Sequence, residues 1–276
     1  MIEEQIESTG GLKLFVRSWP APGVPRGIVV IVPGFNSHSG YYAWVAQQLV
    51  EHGLSVYVLD LRGRGKSDGA RFYVDTFADY VSDVAAVVTE ARSRAPNLPV
   101  FLLGHSAGGV VSCLYALDQQ ADLAGLICES FAYQLPAPDF ALAVFKGLSY
   151  IAPHAHILRL KNEDFSRDPV AVAAMNADPL IAHETQPTKT LAAMVRADER
   201  LTKEFPNLSL PLLILHGTDD KAANASGSQF FYDTAGARDK TLKLYEGHFH
   251  DLLNDLGKED VLADVATWIE AHLPGQ

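Results

Sequence analysis

Cysteine is scarce: 276 residues hold two, Cys113 and Cys128. Two cannot build a disulfide framework. Each lies in an apolar run, so both read as inert core thiols. Positive charge is also short. Lys and Arg number 22 against 33 Asp and Glu, a formal net charge of −11. No long basic run offsets this balance, which argues against a nucleic-acid partner and gives no electrostatic pull toward anionic membranes. No apolar stretch reaches the ~18 residues that a membrane span needs. The N-terminus, Met1-Ile2-Glu3-Glu4-Gln5, lacks the basic and apolar regions of a secretory signal, so the expected location is cytoplasmic. Internal repeats and low-complexity segments are missing as well.

What is present is a large apolar fraction, 48% of residues, with 20% charged, enough for a sizeable core. Leu12–Trp19 reads as an early strand. Gly27–Val32 and Leu54–Leu59 are continuous apolar runs, the mark of strands buried on both faces. Tyr42–Glu51 and Phe77–Arg94 carry helical spacing; in the second, acidic residues come early and arginines late, as the helix dipole prefers. Val100–Leu103, Leu123–Cys128, Leu210–Leu215 and Thr241–Tyr245 read as further strands, and Glu259–Leu273 as a closing helix. Strands alternating with helices predict an α/β fold with a mostly parallel sheet covered on both faces. Residues 132–203 break the alternation. They show helical patterns and Pro-bounded turns but no convincing strand, and predict a helical cap over the C-terminal strand ends, with residues 1–131 and 204–276 as the core. The apolar run Phe140-Ala141-Leu142-Ala143-Val144-Phe145 in that cap suits an apolar substrate.

Chemistry gathers around Gly104-His105-Ser106-Ala107-Gly108. A strand precedes it and an apolar helix follows, which makes G-x-S-x-G a nucleophile elbow. The turn is tight enough to strain the serine and raise its hydroxyl, and the flanking glycines let strand and helix nearly touch. A serine hydroxyl needs a base within hydrogen-bond reach and a carboxylate to orient that base. The order expected on this architecture is Ser, acid, His. Leu212–Leu215 runs into His216-Gly217-Thr218-Asp219-Asp220, which offers two aspartates. Leu242–Tyr245 runs into Glu246-Gly247-His248-Phe249-His250, which offers two histidines. An oxyanion needs pre-aimed donors. One is the backbone N–H of Ala107, and the other comes from the loop after Gly27–Val32, where Gly34 permits close approach and Phe35 supplies the next N–H.

With these segments, Ser37-His38-Ser39-Gly40-Tyr41-Tyr42, Asp60-Leu61-Arg62-Gly63-Arg64-Gly65-Lys66-Ser67, and Asn176-Ala177-Asp178-Pro179-Leu180, the chain resembles the monoacylglycerol lipase group of α/β-hydrolases, which includes bacterial lysophospholipase-like enzymes. The resemblance runs over nearly the whole chain. It implies an α/β-hydrolase fold with a helical cap, and a serine ester hydrolase acting through an acyl-enzyme. The family's H-G-x-x-D places the acid on Asp220, and its Y-E-G-x-x-H places the base on His250. Ser106 is then the nucleophile, with Phe35 and Ala107 as oxyanion donors. Substrates implied are monoacylglycerol-like or other apolar-acyl esters, with transient lipid-surface contact through the cap. One departure stands out. Pro33-Gly34 replaces the family's His-Gly, and bulky Phe35 replaces a small residue, which narrows the acyl pocket.

This chemistry requires no cofactor and no metal. His154-Ala155-His156 has a ligand-like spacing but no third ligand nearby in sequence. Gly65-Lys66-Ser67 resembles the end of a P-loop, yet Asp60 occupies the place of its first glycine. His105 and His216 read as structural, and His248 as a rim residue. The same three residues could serve a thioesterase, an amidase or a C–C bond hydrolase. A non-catalytic ligand-binding scaffold is the alternative of another class. Serine at the elbow speaks against haloalkane dehalogenase and epoxide hydrolase chemistry, which uses aspartate there.

Overall fold

The continuous apolar runs become the centre of an eight-stranded sheet. The computed structural model describes residues 1–133 and 139–274, without the side chains of residues 139–143 and 145. Its strands are β1 (Ile2–Glu7), β2 (Lys13–Trp19), β3 (Gly27–Val32), β4 (Leu54–Leu59), β5 (Val100–His105), β6 (Gly125–Glu129), β7 (His156–Leu158), β8 (Gln186–Pro187), β9 (Leu212–Gly217) and β10 (Lys240–Tyr245). The helices are α1 (Ala43–Glu51), α2 (Phe77–Arg94), α3 (Ala107–Gln119), α4 (Asp139–Ile151), α5 (Pro169–Ala177), α6 (Thr188–Glu204), α7 (Ala225–Thr234) and α8 (Lys258–Ala271). The main sheet runs β1-β2-β4-β3-β5-β6-β9-β10. β2 pairs antiparallel with β1 and β4, and every other pairing in it is parallel.

β3 to β5 are buried at every position. Alternate residues feed opposite faces. Ile28, Val30 and Val32 join the layer with Tyr80 and Val84 of α2 and Val110 and Val111 of α3. Val29 and Ile31 join the layer with Val45 and Leu49 of α1 and Val261 and Val265 of α8. Side-chain period two, with helices on both sides, is why these strands carry no polar face. The chain passes from β3 to β4 on one side and returns to β5 on the other. This reversal opens a crevice at the C-terminal ends of β3 and β5, where open α/β sheets bind ligands.

Between β6 and β9 the chain leaves the sheet. Of the run Phe140–Phe145, only the Val144 side chain is described, and it is 57% exposed; the others lie outside the described residues. One feature of this segment differs from the sequence reading. β7 and β8 form a small antiparallel pair where no strand was expected. Three and two residues are too few to show a period, and Pro187 removes one donor. One face of α6 rests on the rest of the chain: its Ala193, Met194, Ala197 and Leu201 join the cluster formed with α2 and α3. β1 and α7 are further elements that the reading did not anticipate. Among the described residues, no helix is long and apolar enough to cross a membrane.

Candidate active site

The turn from β5 to α3 holds Ser106 at φ 55°, ψ −122°, a strained conformation for a non-glycine residue. Its neighbours over-determine it. Ser106 N donates to the Glu129 carbonyl of β6 at 2.9 Å, and its carbonyl accepts from Gly109 N at 2.9 Å and Ala132 N at 3.3 Å. A methyl group on Gly108 would sit 2.1 Å from the Val32 carbonyl oxygen, so only glycine lets α3 start against β3. One on Gly34 would sit 2.8 Å from Ser106 Cβ, so the loop after β3 lies directly on the serine. Phe35 and Ala107 are both buried beside it. Among the described residues, neither backbone N–H donates to another group of the protein.

The loops after β9 and β10 bring the other two side chains in. His250 Nε2 lies 2.8 Å from Ser106 Oγ, and His250 Nδ1 lies 2.7 Å from Asp220 Oδ2. All three are nearly inaccessible. Asp220 Oδ1 accepts from the N–H groups of Ala222 and Ala223 at 2.7 and 2.9 Å. Burial alone would raise the Asp220 carboxyl. The charge of His250 and the hydrogen bonds from His216 and His250 outweigh it and hold the group well below the usual carboxylate range. Asp220 is therefore ionised, and it fixes the proton of His250 on Nδ1, leaving Nε2 free to accept from the serine. Asp219 is exposed and takes no part in this chain.

Several partners had no signal in the sequence. His216 Nε2 lies 3.0 Å from the same Oδ2 of Asp220, and its Nδ1 meets Ser228 Oγ at 2.7 Å. Phe165 stands edge-on to the His250 ring, 4.9 Å between centroids, and packs with Met175 and Ile181 as a small apolar cluster above it. Phe165 reaches His250 from a segment 85 residues away, whereas His216 shares the loop of Asp220. His105 is fully buried and touches Tyr42 OH at 3.1 Å through Nδ1. Burial, then the neighbouring His250, pushes it well below its ordinary value, so it is neutral.

Among the described residues, the group close enough to share a metal ion is His105, Glu129 and Asp251, whose ligand atoms lie within 4.8 Å of one another. His154 and His156 do not belong to it. His154 stacks on Tyr73, and His156 bonds Thr185. The Asp60–Ser67 segment forms a loop knotted on its own groups: Asp60 accepts from Ser39 N at 2.6 Å and Lys66 N at 2.8 Å, and Arg62 pairs with buried Asp83. Asp60 thus bonds backbone N–H groups both of this loop and of the loop after β3. His248 is half-buried, with its Nδ1 3.9 Å from Asp255. Cys113 and Cys128 are free, buried and 3.6 Å apart.

Comparison with known proteins gives this geometry a family. A family model described as serine aminopeptidase, S33, matches residues 23–257. The monoacylglycerol lipase of Mycolicibacterium smegmatis is 32% identical over 273 residues, covering 98% of each chain. The monoglyceride lipase of Homo sapiens is 31% identical over 94% of this chain and 87% of its own. The crystal structure of the Paleococcus ferrophilus monoacylglycerol lipase superposes with a TM-score of 0.85 at 29% identity, over 94% of this chain and 99% of that one. The chain belongs to the monoacylglycerol lipase-like family of α/β-hydrolases and is a serine ester hydrolase.

Proposed function

We propose that the chain hydrolyses esters of apolar acyl groups, monoacylglycerols among them, with Ser106 as nucleophile, His250 as general base and Asp220 as its orienting acid. The observation that carries this reading is the relay from Asp220 through His250 to a strained, buried Ser106, with contacts of 2.7 and 2.8 Å. Ser106 Oγ attacks the ester carbonyl as its proton passes to His250 Nε2. Asp220 stabilises the imidazolium that forms. The N–H groups of Phe35 and Ala107 receive the oxyanion. His250 then protonates the leaving alcohol, and the acyl group stays on Ser106. Water activated by the same imidazole releases the acid.

In this reading residues 132–203 act as the cap, and Phe165, Met175 and Ile181 provide an apolar wall for the acyl chain beside His250. Phe35 is 4% exposed and packs in the cluster with β3 and α2. Val144, Tyr150, Ile151, Ile157 and Val170 expose apolar surface on the same segment, which supports transient contact with a lipid surface. Flotation with neutral phosphatidylcholine vesicles tests that contact; recovery only in the unbound fraction contradicts it.

The deciding assay measures initial rates on p-nitrophenyl esters of increasing chain length and on monoacylglycerols, with Ser106→Ala as the blank. Ser106-dependent turnover of monoacylglycerols with a medium-chain optimum is the expected result. Matched thioesters and p-nitroanilides run alongside, and faster turnover of either would move the natural substrate to that class. Absence of turnover on every substrate, with no labelling by a fluorophosphonate, leaves a binding scaffold.

A further inference from the structure

The loop that carries Phe35 is held from the cap as well as from the sheet. Asn36 Nδ2 donates to Asn162 Oδ1 at 3.0 Å and to the Leu160 carbonyl at 3.4 Å. His38 Nε2 and Tyr41 OH both reach Asp178 Oδ2 at 2.8 Å. A fifth tie runs through the interior and ends on Phe35 itself.

Arg64 is 1% exposed, yet it carries a charge. Its guanidinium lies over the face of the Phe35 ring, 3.9 Å from the centroid. Each nitrogen of the same group has a partner along its edge. Nη1 pairs with Glu184, Nη2 donates to Gln186 Oε1 at 2.9 Å, and Nε donates to Tyr80 OH at 3.2 Å. Glu184 is steadied in turn by Gln186 Nε2 at 2.8 Å. Glu184 and Gln186 stand at β8, within the cap segment, whereas Tyr80 is on α2 and Arg64 on the loop after β4. One planar cation thus stacks on the residue whose N–H is aimed at the reaction centre, while its donors are oriented by the cap.

We propose that Arg64 is a positioning residue through which the cap sets the oxyanion donor: Glu184 and Gln186 hold the guanidinium flat on the Phe35 ring, and the ring fixes where the Phe35 N–H points. The inference rests on the reading of Phe35 as an oxyanion donor. The physical reason lies in the geometry of the fork. A guanidinium can stack on a ring and still donate along its edge in three directions, and an ammonium cannot do both. Gly34 leaves the loop no slack, since its backbone already abuts Ser106. A tilt of the ring is therefore passed to the N–H of the same residue. Misplacement of a reacting or stabilising group by about 1 Å costs on the order of 10²-fold in rate. A cap that swings away takes Glu184 from Arg64, leaves a buried charge unpaired, and slackens the hole at the same moment. Closure of the cap and assembly of the oxyanion site are then one event.

The test is a mutant cycle on the full chain with p-nitrophenyl butyrate: Arg64→Lys, Phe35→Leu, the double variant, and Glu184→Gln. Each is checked for folding by circular dichroism and thermal melting. Phe35→Leu keeps the backbone donor and removes the ring that Arg64 grips. Arg64→Lys should lower kcat roughly 10- to 100-fold with KM within about twofold, and weaken a trifluoromethyl ketone, which forms a tetrahedral oxyanion on the serine, by the same factor. Glu184→Gln should do the same to a smaller extent. In the Phe35→Leu background, Arg64→Lys should cost much less than in the wild type. An equal loss in both backgrounds, an unchanged kcat, or a loss confined to KM overturns the proposal. If Arg64→Lys fails to fold, Glu184→Gln is read alone and in the Phe35→Leu background by the same criteria. Wild-type turnover that does not need Ser106 would sink the reading of the site, and this inference with it. Ser106-dependent turnover without coupling sinks only the inference.

Discussion

At Ser106 a backbone angle of φ 55° is held by four hydrogen bonds, to β6, to two residues of α3 and to the segment after β6. The strain raises the hydroxyl to His250, and the surrounding contacts keep it there. Asp220 is the more informative residue for mutation. Its Oδ2 faces two imidazoles, His250 at 2.7 Å and His216 at 3.0 Å. Asp220→Asn should lower kcat about 10⁴-fold, because an amide can no longer fix the His250 proton on Nδ1. Stopped or steady-state kinetics on one ester reads this directly, and a loss of under about tenfold would reject Asp220 as the orienting acid. Order and loop position narrowed the partners of Ser106 to two aspartates and two histidines, the resemblance pointed to Asp220 and His250, and the structure brings those two side chains into one chain of contacts with Ser106. His216, Phe165 and Arg64 were not legible, since their partners lie 4, 85 and 120 positions away and meet only through the fold. His216 shows the limit best: it stands in the same loop motif as Asp220, and nothing in the motif says that its ring would share the carboxylate.

Elements were legible where burial imposes a period. Phe77–Arg94 is recovered as α2 to the residue, with Thr76 and Asp79 closing its N-terminus as a capping box. β3 to β5 were visible as unbroken apolar runs because both of their faces are covered. β1 was missed. Only Ile6 of its six residues is buried, and an edge strand with that composition has no apolar face to announce it. α7, Ala225–Thr234, was missed for a different reason. Gly, Ser, Asp and Thr make a weak helix, and packing forms it instead: Phe231 is fully buried and Ser228 binds His216. Phe231→Ala should accordingly destabilise the chain by about 3–5 kcal/mol, measured by urea denaturation. A change under about 1 kcal/mol would mean that α7 stands on its own propensity.

On the scale of the whole molecule, stability should vary with pH through two opposed sets of carboxyls. Glu129 and Asp251 are buried behind the reaction centre, near His105. Burial, then the charge of Asp251, pushes Glu129 well above its ordinary range. Burial pushes Asp251 up to about 6, against the hydrogen bond from Asn254 and the charge of His250. From about pH 4 to 6 the folded chain holds protons that the unfolded chain has released, so this contribution is full below the ordinary carboxylate range and is lost as pH rises through about 6. Asp220 runs the other way. Its contribution is present above its ordinary value of 3.8 and fades as pH falls below it. Melting temperature should therefore fall as pH rises from about 4 to 6, and Glu129→Gln should flatten that slope; parallel wild-type and variant curves would refute the assignment. The arrangement of the sheet has a consequence of another kind. Ser106 sits on β5 near the centre, whereas His250 hangs from the end of β10, an edge strand paired with β9 alone. During synthesis Ser106 and its turn emerge 144 residues before His250, so the contact between the two is made only when the last strand docks on the finished body of the sheet.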